Sequence, residues 1–306
     1  MTTKYEDNNE DNNEDKCDNE TKDEFGLGSE IILSGGHFAT ICFLGCIQNL
    51  IEKEDFDLKK VNRWVCTSGG CVVALFLSLG YVPIQIREIL KKIPISKISP
   101  IDANVWLQFF DNFGLHDTIK IRTLFKHFIT HRSLNENITF GEFYKLFDIE
   151  LVFMSYCLNT TKLVELSRLE TPDLKIMDGL CMAIAAPFLF KPVKYHNRLF
   201  IDAVVSSNCP VSYSRNKGNA YVFKIEKPTK YYDKIDLLTY SKILVSSMIK
   251  QIEDMEVMEH NNYGRLFNIQ CDFEIDSNFD ISIEKIDELF YNGYEHNEEL
   301  LKRRLL

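Results

Sequence analysis

Residues 63–81, RWVCTSGGCVVALFLSLGY, predict a β-strand, a tight Thr-Ser-Gly-Gly turn and a wholly apolar helix, in that order. A similar pattern precedes it, because residues 29–36, SEIILSGG, form a β-rich run that ends in two glycines and is followed by apolar side chains at helical spacing. Two consecutive strand-turn-helix units predict an α/β fold with a mainly parallel central sheet. Ligands bind such sheets at the carboxyl ends of the strands, so we expect Gly35 and Gly36 to lie close to Ser68.

Composition and charge limit the classes of function. The chain has 306 residues, 45% of them hydrophobic, which is enough for one large core. Its formal net charge is −10, and residues 1–24 hold ten acidic side chains against three lysines. We predict that these residues form a disordered acidic tail. The nearly balanced remainder offers no basic surface for a phosphate backbone, so a nucleic-acid partner is disfavoured.

Cysteine usage and hydropathy bear on the setting of the protein. Nine cysteines without an apolar secretory signal predict reduced thiols in an intracellular, cytoplasmic environment. Their spacing is not that of a zinc site, so no metal is expected. The longest apolar runs, such as residues 71–79, are shorter than the ~20 residues that cross a bilayer. We therefore expect a soluble protein that contacts membranes only peripherally.

The rest of the chain continues the alternation of helices and strands. Residues 84–147 have mainly helical patterns, and IMDGLCMAIAAPFLF at 176–190 predicts a buried helix that stops near Pro187. The run RLFID at 198–202 predicts a strand that ends at Asp202, and residues 231–260 predict a further helix. Core packing rather than an acyl-chain wall is expected for four aromatic residues at helical spacing, Trp106, Phe109, Phe110 and Phe113.

Ser68 is the candidate nucleophile. A serine hydroxyl reacts poorly unless a base takes its proton and hydrogen-bond donors hold the oxyanion. A strand-turn-helix elbow exposes the hydroxyl and directs the start of the next helix towards the developing charge. Asp202, at a strand end, is a suitable base if its carboxylate lies within about 3 Å of the hydroxyl. The alternatives are an ordinary turn serine and a carboxylate in an Asx-type turn.

Five segments resemble the patatin-like phospholipase family in order and spacing. They are LSGGHFATICFLGCIQNL (33–50), VCTSGGCVVALFLSLGY (65–81), ITFGEFY (138–144), TPDLKIMDGLCMAIAAPFLFKPV (171–193) and RLFIDAVVSSNCPV (198–211). The resemblance implies a three-layer α/β/α fold and a Ser-Asp dyad that hydrolyses acyl esters of lipids without calcium or another cofactor. In the family pattern Ser68 falls on the nucleophile and Asp202 on the aspartate that serves as base.

The oxyanion loop of the family matches Gly35 and Gly36, and Gly69 follows the nucleophile. The family loop continues with a glycine, any residue, a basic residue and a glycine, but this chain has His37, Phe38, Ala39 and Thr40. Cys66 and Ala203 also stand where the family has glycine. Loss of one oxyanion donor costs on the order of 100-fold in rate.

His37 has two interpretations. In the first, its imidazole replaces the missing positive charge or binds a phosphate head group. In the second, its ring is exposed or hydrogen-bonded, and only its backbone faces the site. We favour the second.

The resemblance also divides the chain. After the acidic tail at 1–24, which lies outside it, the resemblance predicts a patatin-like phospholipase domain at 29–215 and a C-terminal extension at 216–306 that completes the fold. Three functions remain open: a phospholipid or lysophospholipid acyl hydrolase, a catalytically impaired patatin-like module that binds lipid or protein, and a neutral-lipid or small-ester hydrolase. A membrane phospholipid or lysophospholipid is the expected substrate, with peripheral membrane contact, and the need for a protein activator is open.

Overall fold

The computed structural model of the chain describes residues 29–54, 56–93, 111–216, 218–228, 230–259, 264–273 and 280–304. The predicted acidic tail at 1–24 lies outside these ranges, and so do Trp106, Phe109 and Phe110.

The strands of the described residues form one large sheet and one small sheet. They are β1 (Ser29–Leu33), β2 (Val61–Thr67), β3 (Gly114–His116), β4 (Glu150–Cys157), β5 (Lys162–Leu166), β6 (Phe188–Phe190), β7 (Val193–Tyr195), β8 (Arg198–Asp202), β9 (Ala220–Glu226) and β10 (Arg265–Gln270). The large sheet has the order β10-β9-β1-β2-β4-β8-β7, with β5 also paired to β4, while β3 pairs with β6. Pairing is parallel from β10 to β4 and antiparallel where β8 and β7 join. The predicted mainly parallel α/β sheet is confirmed.

The helices in the described part of the chain follow the strands as the sequence pattern indicates. They are α1 (Ile41–Lys53), α2 (Gly69–Ser78), α3 (Pro83–Lys92), α4 (Ile119–His131), α5 (Phe140–Phe147), α6 (Ile176–Ala183), α7 (Leu237–Glu259) and α8 (Ile283–Arg304). Among the described residues no single helix has both the length and the apolar character needed to span a bilayer. Only α2 and α3 taken together, across a bend of 117°, reach that length and composition.

Both faces of the large sheet are buried. Along β1, Ile31 and Leu33 belong to a large apolar cluster that includes residues of α1, α2 and α6. Ile32, which lies between them, belongs to a second cluster against which Val257 of α7 packs. Successive side chains thus pack on opposite faces, as they do in a parallel sheet covered on both sides. The three-layer α/β/α architecture is the one that the sequence predicts.

Two local predictions are wrong. The buried helix predicted to stop near Pro187 ends earlier, at Ala183, and Phe188–Phe190 form β6. Pro187 lies at that change, where its ring and missing N–H prevent a helix from continuing. Phe113 does not pack in the core, because it adopts a left-handed backbone with φ 57° directly before β3 and its side chain is 62% exposed.

Candidate active site

Ser68 occupies a strained turn between β2 and α2. Its backbone has φ 53° and ψ −127°, a conformation that residues other than glycine rarely adopt. The carbonyl oxygen of Ser68 accepts a hydrogen bond of 2.9 Å from the Cys71 N–H, which continues the chain into the helix. Such strain persists where the surrounding structure imposes it, and it concentrates at functional sites. The predicted strand-turn-helix elbow is therefore present at Ser68.

Glycines let the oxyanion loop and β1 approach this elbow. A Cβ atom on Gly70 would lie 2.8 Å from the carbonyl oxygens of Leu33 and Ser34. A Cβ atom on Gly69 would lie 2.7 Å from the carbonyl oxygen of His37. Contacts this short with backbone atoms are not tolerated, so any larger residue would push the start of α2 away from β1.

The pairing register of β4 with β2 and β8 places Asp202 at the elbow. Met154 of β4 pairs with Thr67 at the end of β2, and the next residue, Ser155, pairs with Asp202 of β8. The other edge of β4 is taken by β5 at both positions. β8 therefore lies on the same side of β4 as β2 and places Asp202 directly beyond Thr67, beside Ser68.

The Asp202 carboxyl is fully buried, and only part of its hydrogen-bonding capacity is used. Its Oδ1 accepts a hydrogen bond of 3.0 Å from the Val204 N–H, and its backbone N–H donates to the Ala185 carbonyl over 2.9 Å. Burial raises the pKa of Asp202 to about 7, while the neighbouring Ser68 side chain and the Val204 N–H act in the lowering direction as hydrogen-bond donors. Oδ2 completes no hydrogen bond within the described ranges. A carboxyl with this pKa, next to a strained serine, can accept a proton near neutral pH.

The glycine loop after β1 adjoins the same hydroxyl. A Cβ atom on Gly35 would lie 3.1 Å from the Cβ of Ser68, which confirms the expected approach of the two turns. The Gly35 N–H donates to the Asn208 carbonyl over 3.0 Å. The N–H groups of Gly36 and Gly69 donate to no acceptor among the residues that the structure describes. These two groups are therefore the candidate oxyanion donors.

His37 does not supply the missing positive charge. Its ring is half-buried, 4.3 Å from the ring of Phe38 and 6.4 Å from that of Phe273, so the exposed alternative of the favoured interpretation is excluded. Burial, followed by the charges of Lys227 and His116, lowers the pKa of His37 to about 3. The imidazole is therefore neutral at physiological pH.

Three of the departures from the family pattern are packed into the apolar interior. Ala39 and Cys66 belong to the large cluster, and Ala203 belongs to the smaller one. Each is at most 1% exposed. The chain thus fills these positions with core contacts, and the basic side chain of the family loop has no counterpart at Ala39.

Two residues that the sequence did not single out help to build the site. Asn208 accepts the Gly35 N–H through its carbonyl, and its side-chain Oδ1 lies where a Cβ of Gly35 would be. Glu256 of α7 accepts hydrogen bonds from the Ser207 hydroxyl and, over 3.1 Å, from the Cys209 N–H. The sequence does offer a signal for Asn208, because a polar run, SSN at 206–208, stands after Asp202 with three residues between them. No local pattern marks Glu256, which is far along the chain.

Comparisons with known proteins agree with this arrangement. The family model described as patatin-like phospholipase matches residues 31–214, more than half of the chain. A probable lipid hydrolase of Invertebrate iridescent virus 6 is 28% identical over 201 residues, which cover 62% of this chain and 65% of that protein. An uncharacterized protein of Acanthamoeba polyphaga mimivirus is 24% identical over 182 residues, or 60% of each chain. The chain thus matches less than two thirds of the length of these curated relatives.

The similarity to solved structures concerns the fold. The crystal structure of VipD from Legionella pneumophila has a TM-score of 0.54 and 17% sequence identity, and the match covers 91% of this chain and 67% of VipD. Because the family model covers residues 31–214, which include both Ser68 and Asp202, the chain belongs to the patatin-like phospholipase family.

Proposed function

We propose that this member of a lipid hydrolase family is an acyl hydrolase of phospholipase A or lysophospholipase type, with Ser68 as nucleophile and Asp202 as general base. One observation carries the proposal: a strained serine elbow lies beside a buried carboxyl whose pKa is raised to about 7. Membership of the family supports a lipid ester as the substrate.

The proposed reaction has two steps. Asp202 takes the proton of Ser68, whose Oγ attacks the carbonyl carbon of the ester, and the protonated Asp202 then returns this proton to the leaving alcohol oxygen. In the second step Asp202 takes a proton from water, and the resulting hydroxide attacks the acyl-Ser68 ester. Asp202 then returns this proton to the Ser68 oxygen, and the fatty acid is released. No histidine takes part.

The oxyanion of each tetrahedral intermediate is held by backbone donors in this proposal. The N–H groups of Gly36 and Gly69 are candidates because neither donates to an acceptor in the described ranges. Gly69 begins α2, so the positive end of the helix dipole adds to their effect. Gly35 and His37 shape the loop that carries the first donor.

Calcium and other cofactors have no role in the proposed reaction, because the base and the oxyanion donors all come from the chain. An intracellular setting belongs to the same proposal. It is supported by the free thiols of the eight cysteines in the described ranges, all of which are buried.

A second candidate is a catalytically impaired module that binds lipid or protein. It is favoured by the small, buried Ala39 where the family loop has a basic side chain. It is also favoured by the Asp202 Oδ2, which accepts no hydrogen bond from any residue in the described ranges.

Fatty-acid release from mixed phospholipid vesicles, in excess chelator, separates the two candidates. The unmodified protein, Ser68→Ala and Asp202→Asn are compared with Ser133→Ala, whose serine also has a left-handed backbone, φ 59°, but lies in an exposed turn. We expect release by the unmodified protein and Ser133→Ala only. A triacylglycerol emulsion and a short-chain soluble ester, assayed alongside, distinguish a phospholipid from a neutral lipid or a small ester as substrate.

The impaired-module candidate predicts a different result. All four proteins would then bind vesicles without releasing fatty acid, and a fluorophosphonate probe would not label Ser68. Release that persists in folded Ser68→Ala would contradict the assignment of the nucleophile.

A further inference from the structure

Two exposed phenylalanines stand at the start of the small sheet. Phe113 directly precedes β3, and Phe188 is the first residue of β6. The two strands are parallel, and Gly114 lies opposite Phe188. Each of the two phenylalanine side chains is 62% exposed. The aromatic pair Phe113 and Phe188 therefore occupies neighbouring positions at one end of the small sheet and faces solvent.

Both members of this aromatic pair have a left-handed backbone. The φ angle is 57° at Phe113 and 67° at Phe188. Bulky residues rarely adopt such angles, whereas glycine and asparagine accommodate them. Because the two side chains are mostly exposed, they bury little apolar surface in return for this strain. Strained residues persist where function requires them, so we looked for a ligand that the pair could contact.

The second member of the pair lies close to the proposed base. The Ala185 carbonyl accepts a hydrogen bond of 2.9 Å from the Asp202 N–H. Phe188 is three residues further along the chain, in a turn that is closed by a hydrogen bond of 2.9 Å from the Phe190 N–H to the Ala186 carbonyl. Three residues span at most about 11 Å, which limits the distance from the backbone beside Asp202 to Phe188.

The small sheet also borders the glycine loop. His116, at the end of β3, pairs with Phe190 of β6, and their rings lie 5.8 Å apart. His116 is near enough to His37 to contribute to the lowering of its pKa. The two strands that carry the aromatic pair therefore adjoin the candidate active site at Asp202 and at the loop that holds His37.

The chain between Asp202 and the aromatic pair is apolar. Residues 184–190, IAAPFLF, include no polar side chain. Within this stretch Ala186 and Leu189 are half-buried and pack against the large apolar cluster. A hydrocarbon chain is the ligand that such a surface favours, since it offers no side-chain hydrogen bond to a polar head group.

We propose that Phe113 and Phe188 bind the hydrocarbon chain of the acyl group that Ser68 attacks, and that they give the protein a preference for long-chain esters. The proposal rests on the proposed function for the ester itself. The position of the pair within reach of Asp202 argues for the substrate as the occupant. Each methylene group that leaves water on these rings strengthens binding.

Hydrolysis of soluble esters of two chain lengths tests the proposal. The substrates are p-nitrophenyl butyrate and p-nitrophenyl decanoate, each below the concentration at which it aggregates. Phe113→Asn together with Phe188→Asn removes both rings, and asparagine suits the left-handed backbone of the two turns. We expect the ratio of kcat/KM for decanoate to kcat/KM for butyrate to fall by about tenfold, the contribution of roughly two methylene groups.

Two matched controls accompany this variant. Phe113→Tyr together with Phe188→Tyr keeps both rings and should retain most of the preference for decanoate. Leu146→Asn removes an apolar side chain that is 64% exposed on α5, shortly before the start of β4 and thus at the end of that strand away from Asp202. It should leave the ratio unchanged. Circular dichroism verifies that each variant is folded.

A binding measurement tests the aromatic pair without catalysis. The parent is the full chain with Ser68→Ala, and the probe is the fluorescent long-chain fatty acid cis-parinaric acid. We expect the parent to bind the probe, and we expect addition of Phe113→Asn and Phe188→Asn to weaken binding by about tenfold. Leu146→Asn in the same parent should bind like the parent.

Each outcome gives a decision. A ratio of decanoate to butyrate hydrolysis that is unchanged in the asparagine variant overturns the proposal, and so does a parent that binds no probe. Self-association in light scattering that the asparagine substitutions abolish, with an unchanged ratio, shows that a second copy covers the pair and also overturns it. Probe binding that depends on the pair, in a protein that hydrolyses no ester, would support the acyl-chain contact and refute the proposed function.

Discussion

Asp202 lies one register position beyond Thr67 along the same edge of β4, because Met154 pairs with Thr67 and Ser155 pairs with Asp202. β8 enters antiparallel at the carboxyl end of β2 and takes the place that β2 leaves when it turns at Ser68. A residue on β8 thereby becomes the neighbour of the elbow. The relationship depends on the register of β4, which pairs with β2 in its first part and with β8 in its last part.

The pH dependence of hydrolysis reports the ionisation of Asp202. Its pKa is raised to about 7, and the proposed base must be ionised to take the Ser68 proton. We therefore expect kcat/KM for a soluble ester to level off above about pH 8 and to fall by about tenfold per pH unit below about pH 6. Burial also raises the pKa of Glu253 to about 7, so the profile is repeated with Glu253→Gln. A profile that flattens in Glu253→Gln would contradict the assignment to Asp202.

The buried carboxyl of Asp202 should destabilise the fold at alkaline pH. Its pKa is about 7 in the folded chain and near 3.8 without burial, so the folded state binds more protons between these values. The free energy of unfolding therefore falls as pH rises through this range. Asp202→Asn keeps an acceptor for the Val204 N–H and removes the charge, so we expect it to be more stable than the unmodified protein at pH 8, by at most about 4 kcal/mol.

Urea unfolding at pH 5 and pH 8 measures this difference. The stabilisation should be smaller at pH 5, where the folded carboxyl is already largely protonated. Asp173→Asn, at an exposed position, serves as the control and should show no such change. An Asp202→Asn variant that is less stable than the unmodified protein at pH 8 would show that the carboxylate has favourable partners.

The space between Gly35 and Asn208 should limit catalysis. A Cβ on Gly35 would overlap the Asn208 Oδ1 and lie 3.1 Å from the Ser68 Cβ, so Gly35→Ala displaces the elbow or the loop. We expect kcat for a soluble ester to fall by about 100-fold, since displacements near 1 Å have such effects. Combining it with Asn208→Ala makes room for the methyl group, and the double variant should lose less activity than the product of the single losses. If the loss of activity in the double variant equals the product of the two single losses, the overlap between Gly35→Ala and Asn208 is not the cause of the loss.

Glu256 should act on catalysis by positioning the loop that follows Asp202. It accepts hydrogen bonds from Ser207 and Cys209, and the Ser207 carbonyl in turn accepts a bond of 3.0 Å from the Thr67 hydroxyl beside the elbow. We expect Glu256→Ala to lower kcat for a soluble ester by about tenfold, with little change in KM. Glu256→Gln, which retains an acceptor oxygen, should recover part of the loss. Glu259→Ala, at an exposed position on the same helix, is the control.

Local patterns are sufficient for the parts of the site that lie close together in the sequence. Gly35, Gly36, Ser68 and Gly69 follow strand patterns at short spacing, and the two turns meet because parallel strands end at one edge. The same reasoning fails for Phe113, which has helical spacing to other aromatic residues but lies exposed at a left-handed turn. Periodicity gives the spacing of side chains, whereas burial depends on which element packs above them.

The sequence by itself determined the α/β class, the serine elbow, the glycine turn and the strand that ends at Asp202, because each depends on the conformational preferences of a few consecutive residues. Only the tertiary structure decided that Asp202 lies beside Ser68, that Asn208 contacts the glycine loop, and that Glu256 holds the loop that follows Asp202. These features depend on contacts between residues far apart in the chain. Their free energy comes from burial and from hydrogen bonds that no single segment makes alone.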